Sequence, residues 1–225
     1  MALTADLLAS VPHVLDDQAP LSAAAEMTDW DYECLVQSTI AERPSEALWV
    51  FAYGSLLWKP ACEFAETRAA VVKGWHRAFC FRVSRFRGTI ERPGLMMGLD
   101  RGGQCRGMVL RLVPEYIEDS LGKLFRRELV LKPPVYVPRW LTAHTSDGPV
   151  QALSFAVNRK HERYVGRLAL DDVADLLSTA AGPRGSCAEY LYNTVAHLEQ
   201  LGIRDRNLWR LQKLVAERLS RGRSG

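Results

Sequence analysis

Trp49-Val50-Phe51-Ala52-Tyr53-Gly54-Ser55-Leu56-Leu57-Trp58 is an apolar, aromatic run that stops abruptly at a Gly-Ser pair. Entered from Leu48, a run of this kind predicts a buried strand that ends in a tight turn. Glycine lets backbone N–H groups approach an anion or a carbonyl oxygen where a Cβ would stand in the way. On shape alone, these residues predict a strand-to-loop cradle for a small charged molecule.

Downstream, the pattern stays strand-like. Trp75, Phe79, Phe81 and Val83 alternate with His76, Ala78, Cys80 and Arg82, and Arg77 is the polar member of the first set. Met108, Leu110 and Leu112 alternate with Gly107, Val109 and Arg111; Leu153, Phe155 and Val157 alternate with Ser154 and Ala156. Turn clusters are expected to separate these segments at Gly88, Pro93-Gly94, Gly102-Gly103 and Asp147-Gly148-Pro149. Strands that follow one another without regular βα alternation favour a closed or nearly closed mixed sheet.

Helices punctuate and then finish the chain. Ile117, Leu121, Leu124 and Phe125 fall at i, i+4, i+7 and i+8 after Pro114-Glu115. Leu170, Val173 and Leu177 mark a helix capped at Asp171 or its neighbours. Leu191, Val195 and Leu198 mark another that ends at Gly202, and Leu208, Leu211 and Val215 mark the last, with a tail frayed from Arg218. At the other end, Leu21 to Glu42 reads as a helix capped near Ser22 and closed by Pro44. The expected organisation is therefore a helical extension over 1–46, a main domain over 47–203, and a C-terminal helix and tail over 204–225. The expected class is α+β.

Composition narrows the function. The chain has 225 residues, 48% of them hydrophobic, enough for a substantial core. A net charge of +3 is too small to demand nucleic acid or a membrane surface as partner. There is no run of 18 apolar residues, and the first residues lack the basic region of a secretory leader. Five cysteines, Cys34, Cys62, Cys80, Cys105 and Cys187, form no CxxC pair, which argues for a reducing cytoplasm. The five histidines show no zinc spacing, and neither a Walker A motif nor GxGxxG is present. No metal and no cofactor are expected, and oligomeric state is not legible.

Glu128 is the carboxylate best placed for chemistry. It lies eleven residues after Ile117, and at about 100° per residue it returns to the stripe of Ile117, Leu121 and Leu124. A helix reaching that far turns this side chain inward and places it at the negative end of the macrodipole. Desolvation and dipole both disfavour ionisation, as suits a general base near neutrality. Arg126 and Arg127 act the other way but are expected on other faces of the helix. A surface glutamate at a fraying helix end is the competing reading. Glu91 lies in a turn-rich loop, while Glu115 and Glu118 begin the helix.

Phe51-Ala52-Tyr53-Gly54-Ser55-Leu56-Leu57-Trp58 resembles the YGSL signature of γ-glutamylcyclotransferases, in particular the ChaC-like, glutathione-specific branch. The similarity runs from about Trp49 to Ile203. It implies a small barrel with flanking helices and cofactor-free conversion of glutathione to 5-oxoproline and cysteinylglycine. Leu124-Phe125-Arg126-Arg127-Glu128-Leu129, followed by Tyr136, resembles the segment with the family's catalytic glutamate, so the resemblance gives Glu128 that role. It also makes Ala52, Tyr53, Gly54, Ser55, Leu56 and Leu57 the substrate loop, with Ala52 where glycine is frequent. Arg87-Gly88-Thr89 and Pro93-Gly94 resemble a loop bordering the site, where Arg87 would pair with a substrate carboxylate. Tyr190 matches an EYL-type segment at a helix start. A solvated arginine and a core tyrosine are the alternatives at those two positions, and Cys187 is given no role.

Three rivals stand beside this. A serine amidase would use Ser55, although Tyr53-Gly54-Ser55-Leu56-Leu57 is not a GxSxG elbow. A nucleic-acid-binding module would use Phe79, Phe81 and Phe86 interleaved with Arg82, Arg85 and Arg87. A related cyclotransferase would act on γ-glutamyl amino acids or amines.

Overall fold

The computed structural model describes residues 1–11 and 25–222. In chain order its elements are α1 (Ala5–Leu8), β1 (Ala25–Glu26), α2 (Asp29–Ala41), β2 (Trp49–Ala52), β3 (Phe64–Val83) and β4 (Gly94–Leu112). Then follow α3 (Ile117–Glu128), β5 (Leu131–Lys132), β6 (Tyr136–Thr145), β7 (Gly148–Val157), α4 (Leu170–Thr179), β8 (Ala181–Gly182), β9 (Gly185–Ser186), α5 (Cys187–Gln200) and α6 (Arg206–Gly222). The described residues fall into two compact units, neither a continuous stretch. One takes those within Leu21–Arg77 and Gly98–His161; the other takes those within Met1–Pro20, Ala78–Met97 and Glu162–Gly225.

Five strands close a mixed barrel in the order β2-β4-β3-β6-β7, the α+β architecture expected from the strand-rich middle. β2 runs antiparallel to β4, with Ala52 opposite Met108, and parallel to β7, with Trp49 opposite Ala152. β6 and β7 form a hairpin paired from Tyr136↔Val157 to Thr145↔Gly148.

In the first unit, period-two alternation sends side chains to two cores. Trp49 and Phe51 of β2 meet Ala70, Val72, Leu99, Val109, Leu141 and Ala152, drawn from all five strands, so this cluster fills the barrel. Val50 and Ala52 face the other way and pack with Leu110, Leu112, Leu153 and Phe155 against Tyr32 and Val36 of α2 and Leu121, Leu124 and Phe125 of α3. All four residues of β2 are buried, as a strand covered on both faces must be.

The described part of residues 21–42 departs from expectation. The helix starts at Asp29, capped by Thr28 in a reciprocal capping box with Asp31, and Ala25–Glu26 is strand; residues 21–24, with the expected cap at Ser22, lie outside the described residues. Gly102-Gly103 does not separate two strands either. Both lie within β4 at positive φ (110° and 65°), and the strand continues through them.

The second unit holds α4, α5 and α6. The side-chain oxygen of Gln212 accepts from the backbone N–H groups of Ala2 and Leu3 at 2.9 and 2.8 Å. α5 ends before Gly202 (φ 70°), as its sequence predicts. The expected fraying from Arg218 is not seen, because α6 runs to Gly222 and Arg218 pairs with Asp171 and Asp175 of α4. Residues 223–225 lie outside the described residues. Among the described residues no helix is long and apolar enough to cross a membrane.

Candidate active site

Where β2 ends, the chain is fastened on several sides. The Tyr53 hydroxyl donates to the Phe155 carbonyl at 2.8 Å, and Ser154 Oγ donates to the Phe51 carbonyl at 3.2 Å. The Tyr53 carbonyl accepts from Arg77 Nε at 2.7 Å, and Arg77, only 7% exposed, also donates to the Arg106 carbonyl. A guanidinium is thus the polar member of an otherwise apolar strand face because it supplies donors to two carbonyls. Beyond Tyr53, Gly54 leads into a one-turn 3-10 helix, Ser55–Leu57, in which Leu57 N–H donates to Gly54 at 2.9 Å and Lys59 N–H to Ser55 at 2.8 Å. Ala52 and Leu56 are buried, so only their backbones can meet a ligand, whereas Tyr53, Ser55 and Leu57 are part-exposed.

Glu128 is the last residue of α3. The fully buried Leu121, Leu124 and Phe125 pin their face of the helix to the core, Phe125 meeting Phe155 edge to face at 6.0 Å. That face carries Glu128 with it. Its side chain keeps 16% of its exposure, enough for a substrate proton to reach it. Burial pushes the carboxyl above the ordinary glutamate value, and the Arg127 guanidinium opposes that rise.

Arg127 does not point away, as helical projection suggests. Its Nε lies 3.2 Å from Glu128 Oε1, its Nη2 donates to Ser55 Oγ at 2.8 Å, and its Nη1 donates to the Lys59 carbonyl. Arg126 does turn elsewhere, pairing with Asp29 at 2.6 Å and lying 4.6 Å from the Tyr32 ring centre.

The segment after Glu128 is braced by residues 25–32, which sequence reasoning left without a role. β1 pairs with β5, the Tyr32 hydroxyl donates to the Leu129 carbonyl at 2.9 Å, and Lys132 pairs with Asp31. The Lys132 ammonium and the Thr28 groups hold the Asp31 carboxyl down to about 2.

The structure thus brings Glu128 to the turn at Ser55. Arg87 and Tyr190 belong to the second unit, where they meet each other. The Arg87 guanidinium lies 5.5 Å from the Tyr190 ring centre, donates to the Ser186 carbonyl at 2.7 Å and pairs with Glu189 at 3.0 Å. Tyr190 is buried, edge to face with Phe79 at 6.1 Å. The Cys187 thiol donates to the Arg87 carbonyl at 3.1 Å, and burial pushes it up to about 12, which leaves it unreactive. Glu91, Glu115 and Glu118 are all exposed.

The rivals fare poorly on this geometry. Ser55 Oγ accepts from a guanidinium, which has no lone pair with which to take the hydroxyl proton. Phe79 and Phe81 are buried in the core, which leaves Phe86 as the one part-exposed ring of the three that base stacking would use.

The family model described as ChaC-like protein matches residues 48–218. A glutathione-specific γ-glutamylcyclotransferase of Escherichia coli K12 is 36% identical over 92% of this chain and 93% of its own. A γ-glutamylcyclotransferase of Arabidopsis thaliana is 30% identical over 77% of this chain and 91% of its own. The crystal structure of a γ-glutamyl cyclotransferase specific to glutathione from yeast shares the fold, with a TM-score of 0.69 over 77% of this chain and 97% of that one at 21% identity. The family match across residues 48–218, with 36% identity to the Escherichia coli enzyme over nearly the whole of both chains, shows that this chain belongs to the ChaC-like family.

Proposed function

We propose that this chain is a γ-glutamylcyclotransferase that converts glutathione to 5-oxoproline and cysteinylglycine, with Glu128 as general base. The observation that carries the mechanism is a carboxyl raised by burial and joined to the Ser55 turn through Arg127. The substrate holds its own nucleophile, an α-amine, and its own electrophile, the γ-carbonyl, so much of the proximity advantage is built in. An α-ammonium with a pKa of about 8 is mostly protonated at neutral pH, so a proton must first be removed. Glu128 takes it. The freed nitrogen attacks the γ-carbonyl carbon and closes a five-membered ring. The bond to the cysteinyl nitrogen then breaks as that nitrogen receives the proton held by Glu128. The regenerated carboxylate takes the second proton from the ring nitrogen and passes it on, so the product is a lactam N–H and the cysteinyl amine leaves as an ammonium. No water is consumed and no enzyme nucleophile is needed.

N–H groups at the head of a 3-10 turn have no partner within it. Those of Gly54, Ser55 and Leu56 are proposed to meet the glutamyl carboxylate or the oxyanion, a contribution of about 3 kcal/mol per donor in other enzymes. Arg87, whose Nη1 is shared between Glu189 and the Ser186 carbonyl, is proposed to pair with a substrate carboxylate, and Tyr190 to act by holding Arg87. Free thiols at Cys34, Cys62, Cys80, Cys105 and Cys187 fit the reducing cytoplasm.

Incubation with glutathione, γ-glutamylalanine and γ-glutamyl-lysine tests the assignment. We expect 5-oxoproline with stoichiometric cysteinylglycine, and glutathione turned over fastest. Faster release from γ-glutamylalanine would make the protein a cyclotransferase for γ-glutamyl amino acids. Free glutamate with an acyl group on Ser55 would overturn the mechanism.

A further inference from the structure

We infer that Arg127 is a positioning residue for this reaction, a clamp that keeps the Glu128 carboxylate in register with the substrate loop. The inference rests on Glu128 being the base. Each arm of the guanidinium has its own acceptor: Nε at Glu128 Oε1 (3.2 Å), Nη2 at Ser55 Oγ (2.8 Å) and Nη1 at the Lys59 carbonyl. Ser55 opens the 3-10 turn and Lys59 N–H closes back onto the Ser55 carbonyl, so Arg127 grips the turn at both ends. A planar fork fixes the angles among its acceptors, which a lysine ammonium does not do. Any shift of the loop is therefore felt at the carboxylate.

Two consequences follow for the substrate and for protonation. With Oγ accepting from Arg127, the Ser55 hydroxyl has its proton to donate, and an anionic glutamyl carboxylate is the acceptor that suits it. Arg127 is also the cation that bears on Glu128. On the same helix Arg126 is paired with Asp29; from the turn the facing group is the neutral Ser55 hydroxyl; from α2 the Tyr32 phenol is committed to the Leu129 carbonyl. Removing the Arg127 charge leaves burial unopposed.

The test is kinetics with glutathione across pH for Arg127→Gln and Arg127→Lys, with folding checked by near-UV circular dichroism. For Arg127→Gln we expect the rising limb of kcat/KM to move up by about one pH unit, the low end of what an adjacent opposite charge does. KM should rise about tenfold, the scale of one charge-assisted hydrogen bond. Arg127→Lys should keep the limb at its native position while KM stays raised, because charge is restored and the fork is not. Ser55→Ala and Arg127→Lys together should raise KM by less than the product of their separate effects, a coupling that remains measurable if the glutamine variant does not fold. An unmoved limb in Arg127→Gln, a native KM in Arg127→Lys, or additive Ser55 and Arg127 effects would overturn the clamp. Near-native turnover in Glu128→Gln would instead remove the base itself, so the two failures are distinguishable.

Discussion

Glu128→Gln should fold, bind glutathione and lose turnover by about a thousandfold, the range in which a positioned acid–base group contributes. The amide keeps the shape of the side chain and its contact with Arg127, but it cannot take the ammonium proton or return one to the leaving amine. The loss should therefore fall on kcat, with glutathione binding retained by calorimetry. Stability should move the other way. A carboxyl whose folded pKa lies above its unfolded value of about 4.3 contributes stability below that value and loses it as pH rises through the folded pKa. The native protein thus carries a penalised charge at neutral pH that the amide does not. Melting temperatures should favour Glu128→Gln at about pH 8 and converge towards about pH 4. Near-normal kcat, or a variant less stable at high pH, would contradict a buried base.

Gly107→Ala should cause the largest loss of stability among single substitutions near the site. A Cβ on Gly107 would stand 2.3 Å from the Ala52 carbonyl oxygen and 2.9 Å from the Phe51 ring. Neither can retreat, since both residues are fully buried and held in register by the β2–β4 ladder. Overpacking against backbone costs about 3 kcal/mol or more. The strand that must shift is the one delivering Tyr53 to the loop, so surviving protein should also show a raised KM for glutathione. Gly122→Ala supplies the control, because that helical glycine has open space around its Cβ and should gain slightly. Denaturant midpoints compare the two. Equal effects at both positions would show that close approach at Gly107 is not what limits the strand.

How much of this was legible in the sequence differs from residue to residue. The end of the first barrel strand was readable because an apolar run interrupted by glycine has few other meanings. Glu128 was readable because helical period carries it onto the Leu121 stripe. The partner of Glu128 was not. Projection at 100° places neighbouring residues on different faces, but a guanidinium on a long stem reaches back across its own helix end. Arg77 was visible as the polar member of an apolar face, yet only the fold shows that it serves the Tyr53 and Arg106 carbonyls. The start of α2 was misplaced although Thr28 and Asp31 carry the spacing of a capping box. Gly102-Gly103 carries the signal of a turn between two segments, but β4 runs on through both glycines at positive φ, so no break follows.

Carbon NMR titration of side-chain carboxyls, with Glu128→Gln to identify one resonance by its absence, tests the central claim most directly. The account predicts that this resonance titrates above about 4.3, the ordinary glutamate value, and higher still once Arg127 is replaced by glutamine. A Glu128 midpoint at or below that value would contradict it.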